Sequence, residues 1–433
     1  MIKRAIVWFT TDLRLHDNET LVRAIQENDE IIPVYCFDDA FFNETAFGQK
    51  RIGTFRATFL LEALSDLKAQ LQALGSDLLI LRGDTIALLC GLAQEFGVTS
   101  IYTKQHVSSE EISKLKELRN RFTLQGGKVN TCQTHGLYNK QDFPFSLREL
   151  PDTFTVFRKK IERITPIRSA LKSPSVVTSP LLPSSDLPTL KELHLEEKTA
   201  DKRAVLAFKG GEKAGLARLR YYFEESRCIS QYKETRNGMV GGDYSSKFSV
   251  WLALGCLSAR QIYQELQTYE DTIEANESTY WLYFELLWRD YFYFVMEKYN
   301  PAFFLKGGIK NNIPQKNIHN KALFEKWKNG QTGNNFIDAN MLELKYTGFM
   351  SNRGRQNVAS YLCNDLHLDW RYGAAYFEEQ LLDYDVHSNW GNWAYLAGVG
   401  NDPRENRYFS IEKQAKTYDT HQEFRKLWLK KKS

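Results

Sequence analysis

The sequence is short of the features that most quickly narrow a protein's chemistry. Its six cysteines (Cys36, Cys90, Cys132, Cys228, Cys256 and Cys363) are scattered, with no CxxC pair. That argues against cysteine-framed metal centres and disulfide scaffolds, and it fits reduced thiols in a cytoplasmic protein. No apolar run approaches membrane-spanning length. The N-terminal MIKRAIVWFTTDLRLHD holds only five apolar residues in succession, too few for a signal-peptide core. Net charge is only +4. This excludes a histone-like polycation and leaves room for a local basic patch that grips phosphates. There is no internal repeat and no low-complexity tract. No GxGxxG follows the first β-rich run, so a dinucleotide at the usual place on a doubly wound sheet is not supported.

What is present divides the 433 residues into three parts. Residues 1–132 alternate short β-rich runs with helical patterns. AIVWF precedes a helix from about Asn18; IIPVYCF precedes the stretch from Gly53 to Leu74; DLLILRG precedes Thr85 to Phe96. TSIYT precedes Ser109 to Leu124, and KVNTC closes the series. This βαβ rhythm predicts an α/β domain with a doubly wound parallel sheet. Residues 133–204 form a connection, and the span from Phe143 to about Thr199 holds seven of the 11 prolines. From residue 205 to 433 the pattern is helical, with 3.6-residue periodicity in EKAGLARLRYYFEES, VWLALGCLSARQIYQELQTY and ESTYWLYFELLWRDYFYFVMEKY. Ser258 with Gln261 forms a candidate capping box. The terminal LWLKKKS reads as a short, frayed, solvated basic end.

Four constellations in the helical part carry chemistry. In NGMVGGDYSSKFSVWLALG, Gly241 and Gly242 allow tight turns, and Ser245, Ser246 and Ser249 run into a helix. Such a segment suits an anion such as a diphosphate; ordinary serine capping would account for it equally. Glu285, Trp288 and Arg289 fall at i, i+3 and i+4, on one helix face. Together they can read a base edge, stack on a base and neutralise a phosphate, or they can be a core tryptophan beside an ion pair. Asn352, Arg353, Arg355 and Gln356 are crowded among apolar residues, with Arg355 placed to pair with Asp383. Asp383 and Asp385 have only His387 close by, so ligand hydrogen bonding is favoured over a metal. Trp370, Trp390 and Trp393 share this stretch. So many indoles beside amides and guanidiniums point to a flat, polar, redox-active cofactor, because such groups buried unpaired cost several kcal/mol.

YKETRNGMVGGDYSSKFS, LALGCLS, STYWLYFELLWRDYF, TGFMSNRGRQNVASYL and GNWAYLAGVGNDPRENRYFSIEKQA strongly resemble the photolyase/cryptochrome family, and specifically its DASH cryptochrome branch. VWFTTDLRLHDNETL resembles the family's opening motif, so the resemblance spans essentially the whole chain. It implies an N-terminal antenna domain, a long linker and a helical domain that buries FAD. Tyr232, Ser245, Ser246, Lys247, Phe248 and Ser249 would surround the diphosphate and adenosine side. Asn352, Arg355, Asp383, Asp385 and Asn389 would surround the isoalloxazine, with Asn389 facing N5. Glu285, Trp288 and Arg289 would lie where a pyrimidine dimer docks. Arg236, Arg353 and Arg407 match positions that touch DNA phosphates. Glu110 or Glu111 matches the acidic position that binds a 5,10-methenyltetrahydrofolate antenna. Trp393 and Trp370 match the first two members of an electron relay to the flavin. The outer member falls at about Gln315, where Trp327 or a tyrosine would have to substitute.

Two positions depart from ordinary cyclobutane-dimer photolyases: Gln356 replaces a methionine, and Tyr395 replaces a second lesion-stacking tryptophan. Both make the pocket more polar and reduce its stacking area. The function implied is FAD-dependent, blue-light-driven repair of cyclobutane pyrimidine dimers, preferentially in single-stranded DNA, because a single strand avoids most of the cost of flipping. Glu285, Trp288, Asn389, Trp393 and Trp370 would carry the chemistry. The expected partners are single-stranded DNA and RNA, for a monomer off the membrane. The alternative is a blue-light receptor that binds nucleic acid or a protein and signals without repair. The chain shows no long C-terminal tail of the kind signalling members use, which favours the enzyme. An electron-transfer flavoprotein without nucleic acid is disfavoured by Arg236, Arg353 and Arg407.

Overall fold

The computed structural model describes residues 2–313, 320–404 and 407–430. Five strands, β1 (Arg4–Phe9), β2 (Glu30–Asp38), β3 (Leu79–Gly83), β4 (Ser100–Lys104) and β5 (Lys128–Cys132), form one parallel sheet in the order β3-β2-β1-β4-β5. The reversal beside β1 is the mark of double winding. Four helices alternate with the strands: α1 (Glu19–Glu27), α2 (Thr54–Ala73), α3 (Thr85–Phe96) and α4 (Ser109–Leu124). Their starts follow local chemistry. Asn18 caps α1, and Asp84 caps α3 by accepting from the amides of Ile86 and Ala87. Alternation along β1 sends Ile6 into the core under α3 and α4, and sends Ala5, Val7 and Phe9 into the opposite core.

That opposite core does not stop at the domain edge. It continues through α2 into the helical half, as far as Phe424 and Trp428. After α5 (Phe154–Ile161) the chain runs without a long regular element and pins itself to the sheet domain. The Ile31 amide donates to the Thr178 carbonyl at 2.9 Å, and Val177 to Leu74 at 3.0 Å. The helical half then comprises α6 (Glu212–Arg220), α7 (Tyr232–Thr235), α8 (Ser249–Ala253), α9 (Ala259–Thr272), α10 (Glu277–Tyr299) and α11 (Lys321–Lys328). It continues through α12 (Asn335–Thr347), α13 (Asn352–Ser360), α14 (Trp370–Gln380), α15 (Val386–Leu396), α16 (Ile411–Tyr418) and α17 (Glu423–Leu429). None of the described helices is long and apolar enough to cross a membrane.

Two sequence expectations need correction. Ser258 does cap α9, accepting from the Gln261 amide at 2.9 Å, but the reciprocal bond of a capping box is missing: the Gln261 Oε1 is buried without a partner. The LWL of the terminal segment is not frayed. Trp428 is 2% exposed, and the Arg203 guanidinium lies 4.3 Å above its ring. The hydrophobic stripe of α17 wins over proximity to the terminus.

A buried polar junction sets the two halves against each other. Arg14, 1% exposed, donates to the carbonyls of Gly255 (2.9 Å), His16 (2.9 Å), Asp17 (2.9 Å) and Thr134 (3.1 Å). Asp17 pairs with Arg260 at 2.9 Å, and Glu212 accepts from the amides of Leu15 and His16. Gly255 is required here. Its φ is +69°, and a Cβ would stand 2.2 Å from the Thr11 carbonyl oxygen. A second clamp is Asp290 on α10. Its Oδ2 accepts from the amides of Leu137 (2.9 Å) and Tyr138 (3.0 Å), fixing the chain just after β5.

Arg14→Leu strands these carbonyls without a donor and should cost about 3–5 kcal/mol. Urea denaturation checks this; a loss under about 1 kcal/mol would mean that water replaces the guanidinium. Burial pushes the Asp290 carboxyl from its ordinary 3.8 up to about 7. The folded chain therefore holds a proton that the unfolded chain releases. This contribution to stability is full below the unfolded value and is lost as pH rises through the folded one. Asp290→Asn keeps an acceptor and removes the titration. The stability gap between wild type and variant should shift in the variant's favour from about pH 5 to about pH 8, and a constant gap would contradict the assignment.

Candidate functional site

A cavity of about 610 Å³ opens in the helical half, walled by the 245–249 segment, α10, α13 and the start of α15. Its inner end is a loop shaped by one buried guanidinium. Arg218 donates to the carbonyls of Gly242 (3.1 Å), Ser245 (3.2 Å) and Ser246 (3.1 Å) and pairs with Asp243. These bonds fold residues 242–246 back on themselves and turn Ser245, Ser246, Lys247, Phe248 and Ser249 toward the cavity. Lys247 sits at φ +63°, its ammonium 2.8 Å from Ser245 Oγ and 3.0 Å from the Tyr244 ring centroid. Burial, with Arg218 nearby, drives its pKa well down. An anion arriving here would favour its charged form. The serines are not helix caps: α8 has no side-chain cap bond, and Ser249 Oγ donates to Asp383 Oδ2 at 2.7 Å.

Opposite stands a paired acid and base. Arg355 Nη2 lies 2.9 Å from both Asp383 oxygens, and its Nε donates to the Met350 carbonyl. Asp385 caps α15 through the Ser388 amide and pairs with Arg289 (3.2 Å) and His387 (2.6 Å). The adjacent His387 and Arg289 hold its carboxyl well below the usual range against the pull of burial. Asn352 lines the cavity. Asn389, expected to face the flavin, is not among the residues lining the cavity: it is 8% exposed and donates its side-chain amide to the Ala374 carbonyl at 3.0 Å.

At the mouth the sequence triplet separates. Glu285, Trp288 and Arg289 all line the cavity, but Glu285 pairs with Arg236 at 2.8 Å rather than with Arg289. Arg289 turns inward to the His135 carbonyl (2.7 Å) and the Leu252 carbonyl (3.1 Å). Trp288 stacks on Phe154, centroids 3.8 Å apart and planes 14° apart, and lines the cavity with Phe292 and Tyr395 as further ring neighbours. Tyr232 is also in the wall. Each of the three arginines expected to meet phosphates already has partners. Arg353 donates to Gln356 and Asn237 at 2.8 Å each, and Arg407 pairs with Asp402 and donates to the Tyr395 hydroxyl at 2.8 Å. Sequence reasoning missed Arg404, whose side chain is 71% exposed at the same mouth, together with Asn237 and Asn392. The sequence around Arg404 offered no periodicity to flag it.

A second cavity, of about 520 Å³, lies between the sheet domain and the helical half. The structure separates its two candidate acids. Glu110 is tied to Arg51 at 2.5 Å with its side chain 60% exposed, whereas burial lifts the Glu111 carboxyl to about 7. His135, Asp385 and His387 bring three potential ligand atoms within 4.8 Å of one another. Arg289 is 3.2 Å from both His135 Nδ1 and Asp385, so a fixed cation already engages two of the three. Ala253 and Asp385 line both cavities and are the wall between them.

Among the relay residues, Trp393 lies 6.1 Å from Trp327 and packs its ring edge against Gly373, one turn beyond Trp370 on α14. Trp370 lies 5.7 Å from Trp390. Gln315 lies outside the described residues.

Comparison with known proteins places this geometry. Residues 5–175 match the family model described as DNA photolyase, and residues 281–432 match the FAD binding domain of DNA photolyase. A cryptochrome DASH of Gloeobacter violaceus is 47% identical over 431 residues, covering 99% of this chain and 85% of the relative. The crystal structure of a Synechocystis cryptochrome superposes with a TM-score of 0.95 at 46% identity, over 99% of this chain and 89% of that one. An archaeal photolyase from Sulfolobus tokodaii, solved with two FAD molecules, gives 0.79 at 27% identity, over 99% and 90%. The first cavity fits FAD: a lysine and serines suited to a diphosphate at one end, a carboxylate–guanidinium pair suited to a ring with donors and acceptors at the other.

Asp383→Asn removes the charge partner of Arg355. FAD titration of the apoprotein, followed by flavin fluorescence, should show affinity reduced about 10- to 100-fold, since roughly 1.4 kcal/mol is a factor of ten. A folded variant with unchanged affinity would place the flavin elsewhere.

Proposed function

The chain belongs to the cryptochrome DASH branch of the photolyase/cryptochrome family, and from that premise we propose that it repairs cyclobutane pyrimidine dimers under blue light, preferring lesions in single-stranded DNA. FAD, when bound and reduced, supplies the photoexcited one-electron donor; the protein supplies binding, orientation and electrostatics. Lys247, Ser245, Ser246 and Ser249 would hold the diphosphate side. Asn352, Arg355, Asp383, Asp385 and Asn389 would hold the ring.

The observation that carries this reading is the mouth. Trp288 is stiffened from behind by Phe154 and lines the cavity, where an extruded base would stack on it. Beside it, Glu285 is drawn between Arg236 and burial, which raises its pKa, so its carboxyl is suited to the polar edge of a pyrimidine. Gln356 and Tyr395 supply no broad second stacking surface. Each instead accepts a hydrogen bond from an arginine, Arg353 and Arg407 respectively. The mouth therefore recovers less stacking energy than flipping from a duplex consumes, a few kcal/mol, and a single strand avoids that cost. Arg236, Arg353, Arg407 and the exposed Arg404 would meet the phosphates, the first three by exchanging internal partners.

In the second cavity, Glu111 would bind the pterin of a folate antenna. Trp393 and Trp370 would feed electrons toward the flavin.

Purified protein should be yellow and should repair a single dimer faster in a single-stranded oligonucleotide than in a duplex under blue light. Trp288→Ala should cost about 1–3 kcal/mol in lesion binding. Arg353→Ala and Arg407→Ala should weaken binding across sequences and reduce the salt slope by about one unit each. Changing Gln356 to Met together with Tyr395 to Trp should raise duplex repair. Equal repair of both substrates would refute the stacking argument. No repair by protein carrying reduced FAD would favour a blue-light receptor.

A further inference from the structure

A run of oxidisable side chains leaves the relay and ends in the cavity between the domains. Trp370, 1% exposed, meets Trp390 edge to face, with centroids 5.7 Å apart and planes at 76°. Trp390 belongs to the cavity wall, and its Nε1 donates to the Tyr384 hydroxyl at 3.2 Å. Tyr384 lies in the same wall, and its hydroxyl faces the carboxylate of Glu378 on α14. The charged groups around this phenol come from three other elements: Arg56 on α2, 4.5 Å from the ring, Arg51 just before α2, and Glu111 on α4. The competing branch runs from Trp393 to Trp327 at 6.1 Å and on to Tyr376 at 5.9 Å, but both are buried, and they donate to the carbonyls of Val358 and Lys328, which take no proton.

We infer that Trp390 and Tyr384 are the outer electron donors of the relay, with Glu378 as the proton acceptor and the interdomain cavity as the exit. The inference rests on the reading that Trp393 and Trp370 feed an illuminated flavin. Trp393 loses one electron to the photoexcited, oxidised cofactor. Trp370 refills Trp393, and Trp390 refills Trp370. Tyr384 then refills Trp390, and its phenolic proton passes to the Glu378 carboxylate. One electron has reached the cofactor, Tyr384 is left as a neutral radical, and Glu378 is protonated. When no antenna fills the cavity, a small dithiol entering it reduces the radical by giving a hydrogen atom and leaves as a thiyl radical, two of which disproportionate to one dithiol and one cyclic disulfide, and Glu378 returns its proton to solvent. The proton step makes the charge separation last. Transfer among indoles is reversible, whereas a phenoxyl without its proton cannot refill from the flavin side until the proton comes back. Arg56 and Arg51 oppose the rise that burial causes in Glu378 and so favour its accepting form.

The test is transient absorption with electron paramagnetic resonance on FAD-loaded protein under blue light, with dithiothreitol as reductant and FAD content as the control for folding. Wild type should show a long-lived tyrosyl radical. Tyr384→Phe and Trp390→Phe should lose that signal and slow steady-state photoreduction about tenfold, a difference of about 1.4 kcal/mol in barrier. Glu378→Gln should keep the early indole signals and delay the tyrosyl signal, with a larger solvent isotope effect. Wild-type rates and radicals in both Tyr384→Phe and Trp390→Phe would overturn this exit while leaving the repair reading intact. So would loss of the signal in Trp327→Phe alone. Absence of any photoreduction in FAD-loaded wild type would overturn the relay and the exit together.

Discussion

One buried guanidinium holds this molecule in register. Arg14 collects carbonyls from its own loop, from the chain leaving the sheet and from the turn before α9, where Gly255 lets the two backbones touch. Burying a charge this deeply is tolerable only because all three guanidinium nitrogens are engaged and Asp17 and Glu212 balance it nearby. Both cavities depend on the result. The interdomain cavity exists because the halves are held at a fixed spacing. The cavity in the helical half is bounded by α8, which ends two residues before Gly255.

The shared wall has electrostatic consequences. Arg289 is neutralised by Asp385 and engaged by the His135 carbonyl, so it neither repels nor attracts strongly across the partition. Burial and that same cation lower the pKa of both neighbouring histidines, an effect that Asp385 opposes at His387. The partition is therefore a polar septum, with Lys247 and the serines in the wall of one cavity and Glu111 in the wall of the other.

The fold was legible because its signals are local. Five strands and four helices in the first 132 residues follow from alternation, caps and punctuation, and α3, α4 and β5 begin and end where the pattern put them. In the site, the pairing of Arg355 with Asp383 was readable, since two such groups in an apolar setting must find a counter-charge. What failed was choosing among partners that sequence spacing does not encode. Helical spacing favoured Glu285 with Arg289, but Arg236 from another helix reaches Glu285 first. The serines before α8 look like caps, yet the left-handed turn at Lys247 aims Ser249 at Asp383. Glu110 and Glu111 are neighbours with opposite surroundings, and only the position of Arg51 tells them apart. Phe154 and Asp290 carried no motif, because their roles depend on which distant segment packs against α10.

Phe154 has a consequence for building hybrids of such proteins. It belongs to a short helix that precedes the proline-rich crossing, yet it forms the backing of the tryptophan at the far mouth. A chimaera that takes its sheet domain from a relative and crosses over after α5 would import a foreign backing for Trp288. One that crosses over before α5 would keep the native one. The natural seam for recombination is therefore ahead of residue 154, not in the irregular crossing where the chain invites a cut.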